Sequence, residues 1–164
     1  MATILIIAIM ACMSMPLLQQ QMAVREIESV ARRFIQHAQF ARQQALYLGQ
    51  TVRIEPCDGV HWDSGWVVRG GGGLATPQRD WFLEGAVYPV YFKDGGKQFT
   101  DPHSLKKGIA FNGAGAAKTG QGGFVANRFI LGHDHAPHLE RHLILSSGGR
   151  WRICNPQTDL KRCR

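Results

Sequence analysis

The stretch "REIESVARRFIQHAQFARQQALYLG", residues 25–49, decides the fold because its apolar side chains recur at helical spacing. Offsets of three and four residues place side chains on one face of an α-helix. The apolar stripe consists of Ile27, Val30, Ala31, Phe34, Ala38, Ala41, Ala45 and Leu48. The opposite face carries Arg25, Glu28, Arg32, Gln36, Gln39 and Gln43. We predict an amphipathic helix over 25–49, capped by Gly49, that lays its stripe onto a sheet.

An apolar run precedes this helix. Residues 2–18 read "ATILIIAIMACMSMPLL", and no charged residue occurs before Arg25. The run is at the lower limit for a bilayer span of about 30 Å. A cleaved signal peptide normally begins with a basic segment, which this run lacks. We therefore expect residues 1–24 to form a hydrophobic N-terminal anchor helix that continues into the amphipathic half.

The chain after the helix is rich in strand patterns. We predict a β-rich region over 50–154, with strands at 51–55, 65–69, 86–92, 108–111, 123–131, 141–147 and 150–154. Pro89 limits the third of these to the edge of a sheet. Because the strands follow one long helix without helical alternation, the predicted class is α+β with an antiparallel sheet. Residues 25–164 would form one globular domain that ends in a basic tail over 155–164.

The last two predicted strands form a hairpin. "RHLILSSGGRWRIC", residues 141–154, turns at Ser147, Gly148 and Gly149. Side chains two residues apart on a strand share a face. We therefore expect Arg150 and Arg152 to project outward, with Trp151 and Ile153 directed toward the core.

The basic charge is concentrated at the end of the chain. The net charge is +7, and residues 141–164 hold six basic residues against Asp159, a net +5. This asymmetry favours an anionic partner such as nucleic acid, anionic lipid or an acidic protein. A solvated basic surface without a partner is the alternative that charge alone leaves open.

Four cysteines occur, at positions 12, 57, 154 and 163, and none forms a CxxC pair. Zinc-ribbon and thioredoxin-like sites are therefore disfavoured. A Cys154–Cys163 disulfide suits an extracytoplasmic tail, and Cys57 is a competing partner. Cys12 is expected to stay a free thiol in the apolar run.

The order of features resembles the FimT/GspH-type minor pseudopilins of type IV pili and type II secretion systems. The segments that carry the resemblance are "ARQQALYLGQTVRI" (41–54), "HWDSGWVVR" (61–69), "IAFNGAG" (109–115) and "LILSSGGRWRIC" (143–154). It implies a long helix packed on an antiparallel sheet and a minor subunit of an envelope-spanning filament. Other pilins or pseudopilins would bind through the N-terminal helix. The chain would cross the inner membrane once, with its globular domain in the periplasm or in an extracellular pilus.

Pilins and pseudopilins also carry a glycine cleavage site followed by a phenylalanine-led segment with a glutamate. Nothing of that kind precedes Thr3. We therefore expect the coding sequence to start upstream of Met1. The resemblance implies no catalytic residue, no cofactor and no small-molecule substrate.

Within the family, the FimT type is associated with DNA uptake in natural transformation, through a C-terminal Gly-Arg-any-Arg motif. Here that motif is Gly149, Arg150, Trp151 and Arg152. We expect DNA binding by Gly149, Arg150 and Arg152, extended by the tail residues Lys161, Arg162 and Arg164. Members of the GspH type serve protein secretion instead, and this is the second reading.

A histidine-rich segment offers a third reading. "HDHAPHLERH", residues 133–142, places four histidines close together in sequence, which would allow a metal-binding module. Pro137 breaks any helix that would align them. We therefore expect a solvated hairpin loop and predict no metal site.

Overall fold

One long helix and two antiparallel sheets make up the part of the molecule that the structure describes. The computed structural model describes residues 2–71, 79–95, 107–118, 123, 126–159, 161 and 163. Helix α1 spans Ala2–Leu48, and side chains are described from Leu18 onward. Gly49 follows the helix with a φ of 63°. This left-handed conformation is the usual end of a helix, and it confirms the predicted cap.

Among the described residues, nine strands follow: β1 (Val52–Pro56), β2 (Trp66–Gly70), β3 (Arg79–Glu84), β4 (Val90–Gly95), β5 (Ile109–Phe111), β6 (Ala117–Lys118), β7 (Asn127–His133), β8 (Glu140–Leu145) and β9 (Trp151–Cys154). A short 3-10 helix, Trp62–Ser64, lies between β1 and β2. One sheet has the order β3-β2-β1-β5-β6 and the other β4-β7-β8-β9. Neighbouring strands pair antiparallel in both sheets. The α+β prediction is confirmed, with two sheets where the sequence indicated one.

The core lies between α1 and both sheets. The helix contacts β1, β2 and β5 in one sheet and β4, β7, β8 and β9 in the other. Seven members of the predicted stripe are buried: Ile27, Val30, Ala31, Phe34, Ala38, Ala41 and Ala45. Leu48 is 42% exposed, so the prediction is wrong there. Leu48 is the last residue of the helix, where the chain turns away into Gly49.

Ion pairs join the helix to both sheets. Arg33 Nη1 lies 2.7 Å from Glu84 Oε1 at the end of β3. On the other sheet, the buried Arg141 of β8 reaches Glu28 on the helix, with Nη2 3.2 Å from Oε1. The helix is therefore held to each sheet by charged contacts as well as by its apolar stripe.

Strands β3, β4 and β6 differ from the prediction, and β6 has only two residues. Strand β3 was not predicted, because its side chains are mostly exposed and show no alternation. Strand β4 begins only at Val90, after Pro89, although it does occupy the edge of its sheet. Because the proline nitrogen cannot donate a hydrogen bond to a sheet, the strand begins at the residue after Pro89 and not at residue 86, as predicted.

No helix within the described part of the chain combines the length and apolarity that a membrane crossing requires. The anchor over residues 1–24 and its place in the inner membrane stay predictions.

Candidate nucleic-acid interface

The two motif arginines stand at the end of the β8–β9 hairpin. Leu145 pairs with Trp151 across the hairpin. Beyond this pair, the Ser146 N–H donates to the Arg150 carbonyl and the Gly149 N–H donates to the Ser146 carbonyl, both at 2.9 Å. Gly149 has a φ of 77°, the left-handed position that ends a three-residue hairpin loop. Arg150 and Arg152 are both exposed, as expected.

Gly149 is also held closely by its neighbours. A Cβ atom added there would lie 2.7 Å from the Gly115 carbonyl oxygen and 2.9 Å from Arg42 Nε. At Gly148 the same atom would meet nothing within 4 Å. The close backbone approach therefore concerns the glycine of the motif and not the one before it.

A third arginine, Arg42 of the helix, belongs to this region. Its Nε–H donates to the Gly115 carbonyl at 2.7 Å, which fixes the guanidinium beside the hairpin. Arg42 and Arg150 line the same shallow groove, together with Gln39, Gln43, Gly149 and Trp151. An arginine carries five N–H donors, so Arg42 retains donors on its terminal nitrogens after this bond. Two guanidinium groups thus border one groove.

Trp151 anchors the arginine-bearing strand. Its ring lies edge-on to Phe34 at 5.4 Å between centroids and stacks on Phe129 at 6.1 Å. Ile153 shares the face of its cross-strand partner Leu143, which is buried, yet Ile153 is 37% exposed. The prediction of a core position for Ile153 is therefore wrong, because β9 is an edge strand that the core covers on one side only.

Arg152 belongs to a row that crosses three strands. It pairs with Ile144, which in turn pairs with Arg128 of β7. Directly paired residues project to the same face of a sheet, so both arginines share the face of Ile144. Two strand spacings separate their backbones by about 10 Å. Arg128 Nη1 also donates to the Cys163 carbonyl at 3.4 Å.

The tail folds back onto this face. Cys154 and Cys163 form the disulfide that the sequence left open, and Cys57 is a free, exposed thiol. Lys161 is exposed beside the buried Cys163. Arg162 and Arg164, predicted to bind DNA, lie outside the described residues. Arg141, counted above in the basic charge, is buried against Glu28 and adds nothing to an exposed surface.

The histidine segment does not gather its side chains. His133 is buried on the helix-facing side of β7, where Nε2 lies 2.7 Å from Glu26 Oε2. His142 pairs with Ile130 and Cys154, which puts it on the opposite face of the sheet. His135 and His138 are exposed in the turn. These four positions therefore offer no common metal site in the described structure.

Comparisons with known proteins agree with this architecture. The minor pilin FimU of type IV pili from Pseudomonas aeruginosa matches with a TM-score of 0.60 and 15% identity, covering 82% of this chain and 92% of that one. The minor pseudopilin EpsH of the type 2 secretion system of Vibrio cholerae matches with a TM-score of 0.57 and 12% identity, covering 80% and 98%. A comparison with curated protein sequences finds no significant match. The fold is therefore pilin-like.

A comparison with models of protein families identifies the family within this fold. The family described as "Type II transport protein GspH" matches residues 30–160, most of the chain. The chain belongs to this family and is a minor pseudopilin of the FimT/GspH type.

Proposed function

We propose that this minor pseudopilin binds DNA through its Gly149-Arg150-Trp151-Arg152 hairpin and serves DNA uptake in a type IV pilus system. The observation that carries the proposal is the exposure of Arg150 and Arg152 at the end of a hairpin that Trp151 anchors in the core. In this role the chain acts as a binding subunit, without catalysis and without a cofactor. Its N-terminal helix would join it to other pilins and to the inner membrane.

The chemistry suits a phosphate backbone. Guanidinium groups stay charged at all physiological pH values and match phosphate oxygens with paired N–H donors. Arg150 and Arg152 are two residues apart on an extended chain, about 6.5–7 Å at the Cα atoms. Arg42 and Arg128 add two positive charges, at the groove beside the hairpin and across the sheet. Lys161, Arg162 and Arg164 would extend the contact from the tail.

Contacts of this kind position a protein on DNA and carry no sequence information. Binding should therefore be independent of DNA sequence and should weaken steeply with salt, because each neutralised phosphate releases counterions.

The test is a salt titration of DNA affinity with the full chain and an Arg150→Ala/Arg152→Ala variant. Loss of two phosphate contacts should lower the slope of log affinity against log salt by about 2, at ~0.9 per phosphate. The measurement is fluorescence anisotropy with labelled duplexes of two unrelated sequences.

A charge-matched control separates local contacts from net charge. Arg53 and Arg79 are exposed on the other sheet, so Arg53→Ala/Arg79→Ala removes the same charge elsewhere. The control should keep the wild-type slope. Equal slopes in wild type and in the folded Arg150/Arg152 variant would end the DNA proposal.

The second candidate is a pseudopilin of type II protein secretion, with the basic surface facing a protein partner. The match to the family described as "Type II transport protein GspH" and the likeness to EpsH favour it. Members of that type need not bind DNA, and under this reading the Arg150→Ala/Arg152→Ala change should leave the salt slope at its wild-type value, so the titration above also separates the two candidates.

A further inference from the structure

A cluster of three potential metal ligands lies at the open end of the β8–β9 hairpin, away from the turn that carries Gly149 and Arg150. His142 and Cys154 are direct partners across β8 and β9, and Cys163 joins them from the tail. One ligand atom from each residue lies within 4.8 Å of the others, and all three residues are buried. In the structure the two sulfurs are bonded to each other as a disulfide.

The histidine of this cluster has an unused nitrogen. His142 is 8% exposed, and its Nδ1 has no hydrogen-bond partner among the described residues. Its other nitrogen, Nε2, lies 3.8 Å from Glu140 Oε2. Buried polar atoms normally have a partner, so an orphaned imidazole nitrogen beside two sulfurs indicates a missing ligand.

We propose that His142, Cys154 and Cys163 bind one Zn²⁺ ion when the disulfide between the two cysteines is open. Two thiolates and an imidazole nitrogen are a familiar zinc donor set, which leaves a fourth position for water. Tetrahedral zinc with such ligands holds its donor atoms about 3.5–3.8 Å apart, from bond lengths of ~2.0–2.3 Å. The three ligand atoms lie within 4.8 Å of one another, and the two sulfurs must separate from their bonded distance to reach this spacing. A carboxylate commonly accepts from the second nitrogen of a zinc-bound histidine, and Glu140 Oε2 lies 3.8 Å from Nε2, beyond hydrogen-bond distance but close enough to close in on the ring.

Metal binding and the disulfide exclude each other. A dithiol reductant transfers two electrons and two protons to the Cys154–Cys163 bond, which breaks into two thiols while the reductant becomes a disulfide. Zinc then displaces the two thiol protons. An oxidised dithiol, which takes up two electrons and two protons as its own disulfide becomes two thiols, forms the Cys154–Cys163 bond again and releases the ion. The tail is therefore closed by either a disulfide or a metal.

The test uses the full chain with Cys12→Ser and Cys57→Ser, which leaves Cys154 and Cys163 as the only cysteines of the sequence. The protein is reduced with a phosphine, which takes up oxygen from water as the disulfide becomes two thiols, and is titrated anaerobically with Co²⁺ and then Zn²⁺. We expect one equivalent of Co²⁺ with a thiolate-to-metal absorption band that Zn²⁺ abolishes. The unreduced protein should show no band.

Two further measurements decide the role of His142. His142→Asn should weaken Zn²⁺ binding by at least about tenfold. Replacing a residue that only supports a metal ligand already costs about that much affinity. A matched His138→Asn change in the exposed turn should leave the affinity unchanged. X-ray absorption of the zinc-loaded chain, which needs no variant at the buried site, should show two sulfur ligands and one imidazole. Failure of the reduced chain to bind, or a metal shell without imidazole, overturns the proposal.

Discussion

At the scale of single residues, Gly149 shows how the motif depends on its surroundings. Its φ of 77° costs an L-residue about 1–2 kcal/mol, and a Cβ would meet the Gly115 carbonyl at 2.7 Å. We expect Gly149→Ala to lower the free energy of unfolding by about 1–2 kcal/mol or more. Urea unfolding followed by circular dichroism measures the change.

The neighbouring glycine is the control. Gly148 has open space around its Cα and no positive φ, so Gly148→Ala should be close to neutral. Equal destabilisation by both substitutions would contradict the view that the close contact lies at Gly149.

The exposure of Arg150 and Arg152 could be predicted from the sequence, but the presence of Arg42 beside them could not. The alternation of residues 150–153 was enough to place Arg150 and Arg152 in solvent. Arg42 lies more than a hundred positions earlier, and its helical spacing marks it only as a polar residue. Its place beside Gly149 follows from how the helix crosses the sheet, which no local pattern encodes.

At the scale of elements, Phe34 links the helix to both sheets. It is fully buried and meets five aromatic rings edge-on at 5.1–5.7 Å between centroids: Trp62, Trp66, Phe92, Phe129 and Trp151. We expect Phe34→Ala to cost about 3–5 kcal/mol of unfolding free energy, from lost burial and the cavity left behind. Chemical denaturation gives the value.

Gln36, exposed on the same helix, provides the control, and Gln36→Ala should change stability by less than about 0.5 kcal/mol. A similar effect of both variants would mean that Phe34 does not hold the helix to the sheets.

The helix was predicted because its buried residues recur at helical spacing. The β8–β9 hairpin was predicted from its Ser147-Gly148-Gly149 turn between two strand-like segments, although burial in these strands does not alternate strictly. Strand β3 lies at a sheet edge with Phe82 and Leu83 41% and 76% exposed, so burial imposed no alternation on its sequence. Strand β6 has two residues, too few for any pattern.

At the scale of the whole molecule, the contact between helix and sheet predicts a pH dependence of stability. His37 Nδ1 accepts a hydrogen bond from the Trp66 indole N–H at 2.9 Å, which requires a neutral ring nitrogen. Burial lowers the pKa of His37. The negative charge of Glu84 raises this pKa in part, and the positive charge of Arg33 lowers it further. The unfolded chain therefore takes up a proton first, and stability falls as the pH drops below about 6.5. His142 shifts in the same direction.

The melting temperature should accordingly fall between pH 7 and pH 5. His37→Gln, which keeps an acceptor for Trp66, should flatten this dependence, whereas His138→Gln in the exposed turn should not. Thermal unfolding monitored by tryptophan fluorescence across the pH range provides the measurement. An unchanged pH profile in His37→Gln would assign the acid sensitivity to other groups.

The glycine held between the helix arginine and the Gly115 carbonyl has a consequence for genome searches and for protein engineering. A search with the Gly-Arg-any-Arg motif alone would also return hairpins that lack the helix arginine and the carbonyl that hold the motif glycine in place. Grafting the four motif residues onto another scaffold would likewise transfer the two positive charges without the contacts that orient them. A useful search profile would require an arginine at the position of Arg42 and a glycine at that of Gly115, in addition to the hairpin.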